Sequence, residues 1–171
     1  MRSVISSLLI LVTAVGCGSQ SSEPDESTDG GALQAGPGAF TEDFRINPDF
    51  ATRMAAPVVG TSPHGEVQIW YSTNIESVLG DATITVLRGT VSIKTSNGDG
   101  VAGVDALAVM IKQAPGYDPD NGDWLYEMRT PDGVVMNDPE SGMPMSGRIP
   151  MCIQCHRGYQ ETDYLAGTSL R

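Results

Sequence analysis

Two cysteines and a histidine lie within five residues near the C-terminus, in the pentapeptide Cys152-Ile153-Gln154-Cys155-His156. Two thiols separated by two residues can each form a thioether with a haem vinyl group, while the adjoining imidazole reaches the iron from one face. Redox disulfides and zinc sites also use the CxxC spacing, but neither needs a histidine in the fifth position. The pattern predicts one covalent haem c per chain, tethered by Cys152 and Cys155, with His156 as the axial ligand of the iron.

The other thiol and imidazole of the chain do not supply a second pair of metal ligands. The only other cysteine is Cys17 and the only other histidine is His64. A structural zinc ion needs four protein ligands, and a redox-active CxxC motif is expected next to a βαβ unit. Both alternatives therefore lack part of their usual setting.

The N-terminus has the pattern of an export signal. Arg2 precedes the apolar run 4–12, which is too short to span a bilayer as a helix. The run ends in Ala14-Val15-Gly16-Cys17, which resembles a bacterial lipobox, with ordinary secretory cleavage nearby as the alternative. We expect a lipoprotein signal peptide over 1–16 and an exported, periplasm-facing protein that is held at the membrane only by a lipid anchor on Cys17.

The mature chain divides into a linker and one domain. Residues 17–40 are rich in small and acidic residues and predict a lipidated N-terminus followed by a flexible linker. Residues 41–171 are predicted to form one globular monohaem domain. Loss of Arg2 leaves nine basic against 21 acidic residues, a net charge of −12. Such a surface repels phosphate backbones, so nucleic acid is not an expected partner. A basic electron partner, such as a redox partner cytochrome, or a small uncharged substrate meets no such barrier.

The domain is predicted to be α+β, mainly an antiparallel β-sheet with a few flanking helices and the haem motif at its C-terminal end. The runs 84–87 and 91–95 alternate in polarity and predict one bulged strand or a strand pair. The apolar run 106–112 fits a strand buried on both faces, with a short helix as the alternative. The runs 124–128 and 133–136 surround a turn sequence and predict a hairpin.

Three further segments complete the expected organisation. Apolar residues between Val67 and Leu79 recur at helical intervals and predict a helix, although the alternation of Val67, Ile69 and Tyr71 also fits a strand. Residues 137–150 are predicted to be a loop that delivers the haem motif to the sheet. Residues 159–165 are predicted to add a short helix.

Four stretches of the domain together form a family pattern. Over most of the domain the chain resembles the cytochrome P-460 family and its close relative, cytochrome c-prime-beta. The resemblance implies a mainly antiparallel sheet with flanking helices, one pentacoordinate haem that is open on its distal side, and, because members are often dimers, a homodimer. The four stretches are His64-Gly65 followed by Trp70-Tyr71 and Asn74; Gly89-Thr90-Val91 followed by Ile93-Lys94; Val109-Met110-Ile111-Lys112 followed by Gly116-Tyr117-Asp118-Pro119 and Gly122-Asp123-Trp124; and Cys152 to His156 followed by Asp163-Tyr164.

The two branches of this family differ in one covalent bond. In the first branch a lysine is joined to the porphyrin and the haem oxidises hydroxylamine; in the second the bond is missing and the distal pocket binds nitric oxide. Lys94, in its Gly-Thr-Val-x-Ile-Lys run, resembles that lysine, and Lys112 is the second candidate. The resemblance thus implies oxidation of hydroxylamine or a related small nitrogen compound, with nitric oxide binding as the alternative. A solvated position of Lys94 on the strand face is also open, because lysine is rarely buried without a partner.

Two features of the pocket would separate these functions. Hydroxylamine oxidation needs a base within hydrogen-bond reach of the substrate, and carboxylates near the motif in sequence are Glu127, Asp132, Asp138 and Glu140. A pocket lined by Phe44, Met110 or Met128 without a base would favour uncharged diatomic ligands.

Electron transfer is the third interpretation. It would require a methionine at the sixth coordination position of the iron, which raises the potential of a His/Met haem. Met143, Met145 and Met151 lie close to the motif. Methionines also serve as flexible filler in cores and loops, so their number alone does not favour this function.

Overall fold

The computed structural model describes residues 42–59, 64–72, 79, 86–96 and 106–168. The predicted signal peptide over 1–16, the lipidation site Cys17 and the linker over 17–40 lie outside these residues. The first part of the run 84–87 also lies outside them.

Antiparallel strands make up most of the regular structure in the described part of the chain. Six strands form one sheet in the spatial order β1, β4, β5, β6, β7, β8, and two more form a separate pair, β2 with β3. The strands are β1 (Phe50–Ala51), β2 (Val58–Val59), β3 (Glu66–Val67), β4 (Ile69–Ser72), β5 (Val91–Ser96), β6 (Ala106–Lys112), β7 (Trp124–Arg129) and β8 (Ser146–Gly147).

Helices occupy a small share of the described residues. They are one α-helix, α1 (Pro150–His156), and 3-10 segments at Glu42–Arg45, Pro119–Asn121 and Arg157–Thr162. The mainly antiparallel α+β class expected from the sequence is confirmed. No helix within these ranges is both long enough and apolar enough to cross a bilayer.

The apolar run 106–112 forms the central strand β6, as predicted. It pairs with β5 along six residues and with β7 along six. Leu107, Val109 and Ile111 are buried on one side, while Ala108 and Met110 lie on the other side because side chains alternate along a strand. A strand buried on both faces needs apolar residues at nearly every position, which explains the unbroken run.

The segment before β5 differs from the bulged strand that was one expectation. β5 begins at Val91, and Val86 and Leu87 belong to no strand. The chain instead turns at Arg88-Gly89, where the amide of Thr90 donates to the carbonyl of Leu87 at 3.1 Å. Gly89 has a φ of 86°, in the left-handed region that glycine enters without steric cost.

The helix predicted from Val67 onward is wrong where the structure describes it. Residues 66–67 and 69–72 form β3 and β4, and β4 pairs with β1 and β5. Ile69 and Tyr71 are buried, while Trp70 and Ser72 are only partly buried. The period-two pattern decides the structure because it places these two apolar side chains in the core of the sheet.

The hairpin predicted after β7 is confirmed at its turn and wrong in its second arm. The amide of Gly133 donates to the carbonyl of Thr130 at 2.9 Å, but Val135 makes only an isolated bridge with Arg129. The sheet neighbour of β7 is β8. The amide of Met136 still donates to the carbonyl of Met128, and the chain then returns through Met145 to build that edge.

Both faces of the sheet carry a core. We call the side of Leu107 and Val109 the back face and the side of Ala108 and Met110 the cavity face. The back-face cluster is Phe44, Val91, Ile93, Leu107, Val109, Ile111 and Leu125. The cavity-face cluster is Met54, Ile69, Tyr71, Leu79, Val86, Met110, Trp124, Tyr126 and Leu165.

A buried ion pair accompanies the back-face core. Arg129 and Glu127 are both buried, with their Nη2 and Oε2 atoms 2.7 Å apart. Ser146 donates to the other carboxylate oxygen at 3.0 Å, and Arg129 also donates to the carbonyl of Gly133 at 2.6 Å. Buried charges need such partners, so the carboxylate of Glu127 is already engaged.

Candidate functional site

The helix α1 brings the three residues of the pentapeptide motif together. Cys152, Cys155 and His156 stand at positions i, i+3 and i+4, which share one face of an α-helix. Pro150 begins the helix, where its fixed φ and missing N–H are tolerated. The five-residue motif therefore presents two thiols and an imidazole in one direction.

That face of α1 borders a cavity of about 550 Å³ between the helix and the cavity face of the sheet. A volume of this size lies within the range of pockets that hold small molecules and cofactors. The sheet contributes mainly Ser92, Lys94, Ser96, Ala108, Met110, Tyr126 and Met128 to the cavity wall. The C-terminal segments contribute Met145, Met151, Cys152, Cys155, His156, Tyr159 and Ala166. His64 also lines the cavity.

Lys94 lies in the middle of the sheet wall. Across the sheet it pairs with Ala108, which pairs in turn with Met128. Ser92 and Ser96 follow the same alternation along β5 and flank Lys94 in the cavity wall. The structure thus brings Lys94 to the same cavity as the motif, and burial lowers the pKa of its ammonium group against the opposing effect of the two nearby thiols.

The imidazole of His156 is held in one orientation. Its Nδ1 lies 2.7 Å from the carbonyl oxygen of Tyr164. A carbonyl only accepts, so Nδ1 carries the proton and Nε2 keeps a lone pair that can bind a metal. The rings of Tyr126 and Tyr159 lie close to it, with centroids 5.3 and 6.4 Å away. Burial lowers the pKa of His156, which favours the neutral ring.

The thiols do not have the character of a redox pair. They are not joined by a disulfide, and burial raises the pKa of Cys152 to about 11. Redox-active CxxC motifs instead stabilise the thiolate. Among the described residues, no group of three or more His, Cys, Asp or Glu side chains could hold a metal ion, so the zinc interpretation gains no further ligands.

The hydroxyl of Tyr126 supplies an independent sign of a missing partner. The side chain is 2% exposed and lines the cavity, and its oxygen has no hydrogen-bond partner among the described residues. Buried polar atoms are rarely left unsatisfied. Two thiols, an oriented imidazole and an unsatisfied hydroxyl around one cavity fit a tethered organic cofactor better than a bare ion.

Sequence reasoning missed His64 as a cavity residue. Its imidazole lines the cavity, and Ser96 Oγ donates to its carbonyl at 2.8 Å, which ties it to the end of β5. Burial lowers the pKa of His64 to about 4, aided by the positive charges of Lys94 and His156. The available signal was that the chain has only two histidines.

The four carboxylates suggested as bases are engaged elsewhere or exposed. Glu127 contributes to the cavity lining, but its carboxylate accepts from Arg129 and Ser146. Asp132 accepts from the hydroxyl of Thr130 in the turn, and Asp138 accepts from Ser141. Glu140 is exposed on the same loop as Asp138.

Most of the other predicted pocket residues can now be placed. Met110 and Met128 line the cavity as expected, whereas Phe44 does not, because the 3-10 segment that carries it packs on the back face. Met145 and Met151 border the cavity, and Met143 is 66% exposed.

Lys112, the second lysine candidate, lies outside the cavity lining. Its Nζ is 2.7 Å from both carboxylate oxygens of Asp163 and lies 5.1 Å from the centroid of the Trp124 ring. An ion pair and a ring contact already occupy this ammonium group. Lys94 is therefore the lysine that faces the motif.

Comparison with protein-family models, curated proteins and solved structures gives no match for this chain. The resemblance to the cytochrome P-460 family therefore stays a prediction that rests on its four sequence stretches.

Proposed function

We propose that the protein is an exported monohaem c-type cytochrome of the P-460-like kind that oxidises hydroxylamine or a related small nitrogen compound. The observation that carries the proposal is that Cys152, Cys155, His156 and Lys94 all border one cavity of about 550 Å³. The motif predicts the cofactor from the sequence, and the volume of the cavity lies within the range of pockets for small molecules and cofactors.

Each of the motif residues has a distinct role in this proposal. Cys152 and Cys155 would hold haem c through thioether bonds, and Nε2 of His156 would bind its iron. When bound, the haem would supply a redox-active iron for the oxidation of a small substrate. The Tyr164 carbonyl keeps the proton of His156 on Nδ1, so Nε2 stays available at neutral pH.

Lys94 is the residue that we assign to the cross-link with the porphyrin. Burial lowers the pKa of its ammonium group, which increases the fraction of neutral, nucleophilic amine. The Lys94 amine would hold the porphyrin through this bond, with one hydrogen atom lost from the nitrogen and one from a porphyrin carbon. A peroxide would be a suitable two-electron oxidant, because it would take up both hydrogen atoms and be reduced to water.

His64 is the proton acceptor that the proposal requires. Oxidation of hydroxylamine releases protons together with electrons, and a neutral imidazole in the cavity wall can accept a proton. The low pKa of His64, about 4, keeps it neutral at pH 7. The electrons leave to a redox partner cytochrome.

Nitric oxide binding is the second candidate function, and the apolar part of the cavity favours it. Ala108, Met110, Met128 and Met145 form much of the lining, and no described carboxylate is free to act there as a base. Distal polarity decides between ligand binding and activation. If Lys94 forms no bond to the porphyrin, this function is the better supported one.

The localisation follows from the N-terminal pattern rather than from the cavity. We propose a periplasm-facing lipoprotein that is anchored through Cys17, with a homodimer implied by the family resemblance. The intact mass of the mature protein tests the lipid and the haem together, because each adds a fixed increment.

Absorption of the ferrous protein separates the three functions. A strongly red-shifted main band is expected for a haem that is distorted by the Lys94 bond, and an ordinary high-spin band for an open gas-binding site. Sharp low-spin bands would indicate that a methionine such as Met145 closes the sixth position, and this result would replace both proposals with electron transfer.

A further inference from the structure

The segment that follows α1 is attached to the sheet by an ion pair. Lys112 Nζ, at the end of β6, donates to both carboxylate oxygens of Asp163 at 2.7 Å. The same carboxylate accepts from the amide of Val86 at 2.8 Å, and the carbonyl of Asp163 accepts from the indole N–H of Trp124 at 2.8 Å. Asp163 therefore has three partners from three parts of the chain.

The backbone at this point has an uncommon conformation. Asp163 and Tyr164 have φ values of 49° and 65°, so two consecutive residues other than glycine lie in the left-handed region. Each such residue costs about 1–2 kcal/mol, and the conformation persists only where the surroundings enforce it. The contacts of Asp163 supply that enforcement.

This conformation determines where the next carbonyl group points. The carbonyl oxygen of Tyr164 lies 2.7 Å from Nδ1 of His156, and the amide of Tyr164 donates to the carbonyl of Tyr159 at 2.7 Å. The acceptor of the His156 imidazole is thus a backbone atom one residue after Asp163. Asp163 is in turn held by its ion pair with Lys112.

We propose that Lys112 and Asp163 are positioning residues that set the electron donation of His156 through the Tyr164 carbonyl. This inference rests on the proposed haem ligation by His156. A hydrogen bond from Nδ1–H to a carbonyl raises the basicity of a ligating imidazole, and outer partners of this kind change metal affinity by 10–100-fold. A more basic imidazole stabilises ferric iron over ferrous iron, so loss of the ion pair raises the reduction potential.

The sign of the effect distinguishes positioning from simple charge. Asp163→Asn removes a negative charge and Lys112→Met removes a positive one. Through-space electrostatics would move the potential in opposite directions in the two variants, upward for the first and downward for the second. Loss of the carbonyl hydrogen bond moves it upward in both.

The test is the reduction potential of the haem-loaded protein, measured together with the iron–histidine vibrational frequency. For both variants we expect the equilibrium ratio of ferric to ferrous haem to fall by up to about tenfold. This corresponds to an upward shift of the reduction potential of up to about 59 mV for a one-electron couple. The iron–histidine frequency falls with it. Lys112→Arg, which keeps the ion pair, retains the wild-type potential.

Two further variants serve as controls. Asn tolerates the left-handed region, so Asp163→Asn tests the charge and not the backbone conformation. Asp138→Asn makes the same exchange at a loop carboxylate outside the cavity lining, and it leaves the potential unchanged. The double variant Lys112→Met/Asp163→Asn shifts the potential no further than either single variant, because the two residues act as one unit.

Each outcome tests either the inference or the proposed function. A downward shift in Lys112→Met, or unchanged potentials in both haem-loaded variants, overturns the inference and leaves the proposed function intact. A wild-type protein without haem overturns the proposed function, and its mass shows this before any potential is measured. If Asp163→Asn does not fold, Lys112→Met decides, since the methionine stem still packs on the Trp124 ring.

Discussion

Lys94 on the sheet and His156 on the helix face each other across the cavity from two elements that are 62 positions apart in sequence. Burial lowers the pKa of His156, the hydrogen bond to Tyr164 opposes this, and the positive charge of Lys94 adds to the lowering. This relationship joins the cysteine–histidine motif to a lysine that sequence alone left undecided. We therefore base the proposal of an oxidative function on the cavity and not on the motif by itself.

Replacement of Lys94 tests its assignment. In Lys94→Ala and Lys94→Arg we expect the red-shifted ferrous band to become an ordinary high-spin band and hydroxylamine turnover to be lost, while the haem mass stays. The Lys112→Arg variant, in the only other lysine of the chain, retains both. If the red-shifted band and the turnover survive in Lys94→Ala, another residue forms the bond.

Titration of His64 predicts a pH dependence of stability. Its pKa of about 4 in the folded protein lies below the value of 6.5 for an exposed histidine. Between these two pH values the unfolded state binds more protons, so stability is lost as pH falls from 6.5 to 4. We expect this residue to contribute a loss of about 1–3 kcal/mol in the free energy of unfolding.

Urea unfolding at several pH values measures this effect. The His64→Gln variant has no titrating ring at this position, so its stability should fall less steeply over the same pH range. Equal slopes for the two proteins would show that His64 has an ordinary pKa in the folded state.

The buried ion pair on the back face should dominate the stability of that region. Arg129→Met leaves the carboxylate of Glu127 buried without its cation, which we expect to cost about 3–5 kcal/mol. A double variant that also changes Glu127 to Leu recovers most of this loss, because no buried charge remains. Thermal unfolding of the two variants measures which of them is the more stable. A double variant no more stable than Arg129→Met would contradict it.

Two glycines allow backbone strain to be separated from a steric clash. Gly122 and Gly116 both have positive φ, 70° and 97°. A Cβ at Gly122 would overlap the ring of Tyr164, whereas a Cβ at Gly116 meets nothing within 4 Å. Gly116→Ala should cost about 1–2 kcal/mol, and Gly122→Ala distinctly more. Equal losses in urea unfolding would mean that the Tyr164 ring moves aside freely.

Much of the sheet could be predicted because its strands carry strong local patterns. The run that forms β6 is apolar at almost every position, and the Thr130 to Gly133 sequence specifies its own turn. The segment around Ile69 could not be settled, since its residues match both a helical and a strand period. Pairing with β1 and β5, which no local pattern shows, decides between them.

The candidate site was predicted only in part for a related reason. The motif could be predicted because its three residues lie within five consecutive positions of the sequence. The alternating polar residues Ser92, Lys94 and Ser96 also indicate that one face of β5 lines a cavity, but this signal was not used. His64 and Tyr126 come to the cavity through long-range packing. Tyr126 precedes the motif at 152–156 by 26 positions and His64 precedes it by 88.

The intact mass and visible spectrum of the mature protein, expressed with a competent haem-attachment system, test the central claim most directly. The account predicts a coloured protein that carries one haem per chain through Cys152 and Cys155, and a Cys152→Ala/Cys155→Ala variant without covalent haem. A colourless wild-type protein with no added porphyrin mass would contradict the account.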